Sequence, residues 1–136
     1  MNPLKQAFAW WCFANRGVEP EALLSGAAKI GYEAVDLIGE PLWPLAKKHG
    51  LAVSAIAGHS ALHDGLNRRE NAARIESELL ANIAKAARWG IPVLICFSGN
   101  RNGLDDETGL AVCAETLSRV APRAAGAGVT LAMELL

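Results

Sequence analysis

The chain has 136 residues, 51% hydrophobic and 20% charged, with a net charge of −1. That is enough chain to bury a core and too apolar for disorder. The longest basic cluster is Arg68–Arg69 and no run approaches the roughly 18 apolar residues of a membrane helix, so neither nucleic acid nor a membrane is an expected partner. Cys12, Cys96 and Cys113 are odd in number, far apart and without a CxxC, and the opening residues lack a small-residue cleavage site. Reduced thiols in a cytoplasmic protein are expected.

In chain order, a first strand is predicted over 7–13, with adjacent Trp10 and Trp11 facing opposite sides, one in the core and one under a helix. A helix over 20–30 opens with Pro20 in its first turn and with Glu19 and Glu21 near its positive end. Gly31 then leads to a strand over 34–39, and a short helix at 41–49 leads through Gly50 to a strand over 52–58. A long helix at 68–89 buries Ile75, Leu79 and Ile83, and Asn67 with Glu70 three residues on resembles a capping box. Past Gly90 a strand covers 92–98. The last helix starts near Asp105–Glu107, turns Leu110, Cys113, Leu117 and Val120 inward, and is bent by Pro122. Gly128 then leads to a strand over 129–135. Each of these four glycines sits where a helix needs a left-handed residue to end. The strands are nearly all apolar, the mark of a sheet covered on both faces, so the pattern predicts an α/β fold with a parallel sheet of about five strands and four helices.

Ligands of parallel sheets bind beyond the carboxyl ends of the strands. Those ends read "CFANRG" at 12–17, "DLIGE" at 36–40, "GHSALHDGLN" at 58–67, "FSGNRNGLDD" at 97–106 and "MELL" at 133–136. Glu134 is the sharpest residue among them. A carboxylate inside a buried strand is costly unless paired, protonated or bound to a cation; the plain alternative is that it lies just past the strand in water. His59 and His63 flank Ser60 and suit acid, base or ligand roles, or simply bond backbone as loop histidines do. His49 reads as a helix-end residue that suits the dipole. The "SGNRNG" loop has neither GK[ST] nor GxGxxG and reads as a turn on Gly99, Asn100 and Gly103. Arg101 either clamps a substrate carboxylate or is solvated. His59, Asn100 and Arg101 are the candidate substrate contacts, and Cys96, inside a strand, is inert packing.

"AAKIGYEAVDL" at 27–37, "GHSALHDGLN", the "FSG" strand end at 97–99 and "AMELL" at 132–136, in that order and spacing, resemble the hydroxypyruvate isomerase branch of the xylose-isomerase-like TIM barrels. The superfamily also holds sugar epimerases and apurinic endonucleases. The resemblance covers essentially the whole chain and implies that Glu134 matches the fifth-strand glutamate, a first metal ligand or catalytic carboxylate. It further implies aldose–ketose isomerisation of hydroxypyruvate to tartronate semialdehyde through an enediolate, aided by Mg²⁺ or Mn²⁺. The family draws its remaining acids and histidine from strands six to eight. A full barrel takes roughly 250 residues, so residues 1–136 are expected to be the N-terminal half of a (β/α)8 barrel, with little or no activity alone.

Other readings stay open. A complete flavodoxin-like open parallel sheet fits the length, but it normally ends in a helix over its last strand and carries an acidic or phosphate-binding cluster after its first. An epimerase of the same superfamily is a second functional reading; an endonuclease would need more histidines and a basic face. A third is a non-catalytic half-barrel binding or assembly module, its exposed sheet edges driving self-association.

Overall fold

In the computed structural model, which describes residues 4–134, helices and parallel strands alternate in two compact units, Met1–Ile56 and Ala57–Leu136. In the first unit β1 (Ala7–Ala9) pairs with β2 (Ala34–Asp36), and β2 with β3 (Ala52–Val53), all parallel. In register, Phe8 meets Val35 and Val35 meets Val53, so these three share one face, while Ala9 and Asp36 lie together on the other. Phe8 packs edge-on against Tyr32 with ring centroids 5.3 Å apart. The connecting helices are α1 (Trp11–Ala14), α2 (Pro20–Ile30) and α3 (Trp43–Lys48), with Leu24, Ala27, Trp43 and Ala46 buried. Trp43 enters the core because its indole N–H donates to Ile38 O at 2.9 Å, which satisfies its one polar atom.

Two expectations are corrected in this unit. The first strand stops at Ala9 rather than running to 13, because Phe13 and Ala14 donate to Trp10 O and turn the chain into α1. Trp10 and Trp11 therefore do not straddle a sheet, and Trp11 is largely exposed. The strand predicted over 52–58 is broken at Ser54. Ser54 N–H still donates to Val35 O, but Leu37 N–H donates to Ala55 O, one residue further than a regular parallel ladder would give. Ser54 is thus the extra residue of a bulge, and β3 ends there while β4 (Ala55–Ala57) begins beyond it.

The boundary between the units falls within β4, which begins a sheet of order β4, β5 (Val93–Phe97), β6 (Thr130–Glu134). β5 and β6 are parallel over five residue pairs, from Val93↔Thr130 to Phe97↔Glu134. Residue 135, at the end of the predicted last strand, and Leu136 lie outside the described residues. The helices are α4 (Ala72–Trp89) and α5 (Asp106–Gly126). Ile75, Leu79 and Ile83 are 0% exposed, as their spacing by four predicts, joined by Ala86 one turn on. Each large side chain among them stabilises the unit by about 2 kcal/mol of burial. Along α5 the buried stripe is Val112, Cys113, Thr116, Val120 and Ala124, and Leu110, expected inward, is 72% exposed. A stripe through 113, 116, 120 and 124 leaves position 110 on its margin, and Thr116 is admitted because its hydroxyl lies 3.3 Å from Arg119 Nη2. Gly31, Gly50, Gly90 and Gly128 all adopt the left-handed conformation predicted for helix ends, at φ 103°, 76°, 69° and 69°. Among the described residues no helix is long and apolar enough to cross a membrane.

Candidate active site

The second unit carries a cleft of about 580 Å³ at the carboxyl ends of β5 and β6, walled by Asn67, the Ser98–Gly99 turn, Arg101, the first turn of α5, and Met133 with Glu134. The register that pairs Phe97 with Glu134 brings the glutamate to this rim. Glu134 is exposed there, at the strand's end. Alternation along β6 puts it on the face shared with Phe97 and Ile95.

Two loops build the cleft wall by locking onto each other. Leu66 N–H donates to Phe97 O, Asn67 N–H to Ser98 O at 2.8 Å, and Asn100 N–H to His63 O at 2.8 Å. The backbones come so close that a Cβ on Gly65 would overlap Phe97 O and Gly99 N, which is why glycine stands there. Asn67 is 8% exposed, and its Nδ2 donates to Asn100 O at 2.9 Å and Gly99 O at 3.3 Å. It is therefore a clasp between loops and not the capping-box residue predicted. α4 begins later, at Ala72, after a 3-10 turn over Arg69–Asn71, with no side-chain cap. The expected turn in 99–104 is present: Gly99, Asn102 and Gly103 take positive φ, and Leu104 N–H closes on Arg101 O at 2.9 Å. Beyond it Asp105 caps α5 by accepting from Thr108 N–H at 2.9 Å, a bond that holds its carboxyl below the usual carboxylate range.

Of the predicted contacts, Glu134 and Arg101 come to the cleft, and His59 and Asn100 are not among its lining residues. His59 is 2% exposed. Phe97 N–H donates to its Nε2 at 2.9 Å, so the proton is on Nδ1, which donates to Ser60 O at 2.9 Å. Both ring nitrogens are spent on backbone, the arrangement of a loop histidine, and the ring also stands edge-on to Phe97. Asn100 is exposed and joins the loop through its backbone. Arg101 is paired with Asp106: Nε lies 2.9 Å from Oδ1, and Nη2 closes on Oδ2. Cys96 is fully buried, and burial pushes its thiol up to about 11, so it stays protonated at neutral pH as expected of inert packing. Sequence reasoning missed Asn67 as a wall residue; the closeness of Gly65 and Gly99 that demands its clasp has no local signature.

For a divalent cation the described residues are insufficient. Among them no three His, Cys, Asp or Glu side chains gather, so Glu134 offers one ligand where Mg²⁺ or Mn²⁺ needs several.

Helices alternating with parallel strands and a polar rim at the strand ends make an α/β chain whose fold matches TIM-barrel structures over part of their length. Among the solved structures it resembles are a family-2 AP endonuclease from Brucella melitensis (TM-score 0.80, 18% identity, 97% of this chain and 55% of that one), a sugar phosphate isomerase/epimerase from Parabacteroides distasonis (0.74, 16%, 95% and 50%), and a D-psicose 3-epimerase with D-tagatose from Clostridium cellulolyticum H10 (0.74, 11%, 98% and 53%). At such identities the likeness shows the fold alone. The chain spans about half the length of these three structures. No protein-family model matches the sequence, and no curated protein sequence matches it.

Proposed function

We propose that the chain supplies one carboxylate arm of an isomerase or epimerase that moves a proton between neighbouring carbons of a small hydroxy-carbonyl substrate. Hydroxypyruvate to tartronate semialdehyde is the specific reaction, and a ketose epimerisation is the second reading, supported by the epimerase neighbours. The observation that carries it is the Phe97↔Glu134 register, which brings a carboxylate to a cleft at the carboxyl ends of parallel strands. On this reading residues 1–136 are the N-terminal half of the barrel, and the other acid comes from protein outside them.

Glu134 takes the proton from the hydroxymethyl carbon of hydroxypyruvate. The released electron pair forms the carbon–carbon double bond of the enediolate, and the carbonyl oxygen becomes an oxyanion. A second acid returns a proton to the adjacent carbon, and the proton of the old hydroxyl passes to the new one as the aldehyde forms. Asp106 occupies the Nε and Nη2 of Arg101, leaving Nη1 for the substrate carboxylate. Asn100 supports the loop through its backbone rather than touching substrate, and His59 acts at a distance, holding Phe97 and so the strand end that faces Glu134.

The test follows hydroxypyruvate and D-fructose by proton NMR in deuterated water. In the assembled enzyme Glu134→Gln should lower kcat by about 10²–10⁴ with little change in KM. The 136-residue chain alone should turn over neither substrate. Turnover that survives Glu134→Gln in either setting would overturn the assignment.

A further inference from the structure

The "SGNRNG" loop carries a chemistry that the cleft does not use. Asn102 is the one asparagine of the chain that precedes a glycine. The two form the centre of a turn, with φ +41° at Asn102 and +78° at Gly103, closed by Leu104 N–H on Arg101 O at 2.9 Å. Asparagine followed by glycine is the pair that such a doubly left-handed turn prefers. It is also the pair in which the next backbone nitrogen most easily reaches the side-chain amide, because glycine puts no Cβ in the way. Both residues are exposed, and among the described residues neither the Asn102 side chain nor the Gly103 N–H has a hydrogen-bond partner. A Cβ built on Gly103 would meet nothing within 4 Å, so this peptide has room to swing. Asp64–Gly65 is the contrast. An aspartate before glycine can cyclise in the same way, yet Asp64 Oδ1 is held by Asn71 Nδ2 at 2.7 Å and the Gly65 backbone is wedged against Phe97 and Gly99. The side-chain amides of Asn67, Asn71 and Asn82 are likewise spent on hydrogen bonds.

We infer that Asn102 is a site of self-modification, converted without an enzyme to aspartate and isoaspartate, and that Arg68 steers the outcome to isoaspartate. Gly103 N gives its proton to water and attacks Asn102 Cγ. The new N–C bond displaces the side-chain nitrogen, which takes up a proton and leaves as ammonia, and a cyclic succinimide remains. Water then adds to one of the two ring carbonyls, and the ring nitrogen regains its proton as that C–N bond breaks. Addition at Cγ gives aspartate. Addition at the former main-chain carbonyl gives isoaspartate, in which the backbone runs through Cβ and Cγ. Arg68 Nη2 already lies 3.3 Å from Asn102 O and 2.8 Å from Arg101 O. A guanidinium on the Asn102 oxygen draws charge from its carbonyl carbon and directs water there. The same oxygen then becomes half of the isoaspartate carboxylate and pairs with Arg68. The extra backbone carbon lengthens a turn closed at 2.9 Å, so Leu104 loses its bond and the turn opens. Arg101 and Leu104, on either side of it, line the cleft. Conversion therefore loosens the cleft wall with age and adds a negative charge at its edge.

Conversion at Asn102 does not depend on the role of Glu134: the first is read in a mass spectrum and the second in turnover. The experiment incubates the 136-residue chain in mildly alkaline water enriched in heavy oxygen, folded and unfolded in urea, and digests it after arginine. The peptide that begins at residue 102 should exchange its amide nitrogen for one labelled oxygen. It should appear mostly as isoaspartate, at a higher ratio to aspartate in the folded chain than in urea. The peptide holding Asp64–Gly65 should take up no label while the chain is folded. Hydrogen exchange at the Leu104 amide should speed up by about tenfold or more in the converted fraction, while that at Phe97 holds. Arg68→Ala should leave conversion running and bring the ratio down to that of the urea sample. Asn102→Gln should stop conversion, because the corresponding ring is larger and slower to close. Should glutamine not hold the turn, Gly103→Ala should slow conversion by about tenfold by crowding the attacking nitrogen. An intact amide at residue 102 in the folded chain, while the urea sample converts, overturns the site. Equal ratios in the folded, Arg68→Ala and unfolded chains overturn the part given to Arg68.

Discussion

His59→Ala separates a residue that holds the site from one that touches substrate. The substitution leaves Phe97 N–H without an acceptor and removes the bond to Ser60 O, both now made at 2.9 Å by a ring that is 2% exposed. Orphaning the amide costs about 1–3 kcal/mol, the lost Ser60 bond about 1, and the lost edge-on contact with Phe97 about 1. The sum is about 3–5 kcal/mol, or a fall of about 10–20 °C in Tm for a chain of this size. His59→Gln should recover about 1–2 kcal/mol, because the glutamine oxygen can take the place of Nε2 as acceptor for Phe97 N–H. Urea denaturation reads the stability, and hydrogen exchange at the Phe97 amide reads the specific bond. If His59→Ala costs less than about 1 kcal/mol, or His59→Gln is no better than alanine, the clamp has been misassigned.

Two further perturbations test the same wall. Burial pushes the Glu78 carboxyl up, but Ser60 N–H at 2.6 Å, the Ser60 hydroxyl and Arg74 together outweigh it and hold the group below its ordinary value. A depressed carboxyl contributes stability that is present above its unfolded value near 4.5 and lost as pH falls through the folded one. Exchange of the Ser60 amide should therefore accelerate below about pH 4.5, and Glu78→Gln should flatten that acid limb; an unchanged limb would count against the network. Gly65→Ala forces a Cβ onto backbone atoms of Phe97, Ser98 and Gly99, which cannot rotate away, and should cost about 3 kcal/mol or more in denaturant titrations. Gly103→Ala, at φ +78° with open space around it, should cost only about 1–2 kcal/mol, and equal costs would show that crowding is not what fixes residue 65.

Much of the fold was legible because its signals are local. Helix ends at Gly31, Gly50, Gly90 and Gly128 follow from one residue's backbone freedom, and the α4 stripe follows from spacing by four. What escaped depended on partners distant in sequence. Asn67 looks like a helix cap beside Glu70, yet carbonyls more than thirty residues away compete for its amide and win. Aromatic residues favour strands and so suggest one over 7–13, whereas hydrogen bonds to Trp10 O pull Phe13 and Ala14 into a helical turn. Glu134, which lines the cleft, could be singled out as a candidate because a charge stands out in an apolar run. His59 could not be sorted from the sequence, since what distinguishes a clamp from a contact is where its two nitrogens point.

The locked loops have a consequence for how anything enters the cleft. A wall whose amides already bond one another, with Gly65 and Gly99 face to face and Asn67 fastening both turns, has surrendered its freedom during folding. An incoming molecule finds that surface finished and does not have to freeze it, so its affinity is spared the entropy of ordering a loop. The same rigidity narrows what fits: a guest must match a mould, because little there can bend to meet it.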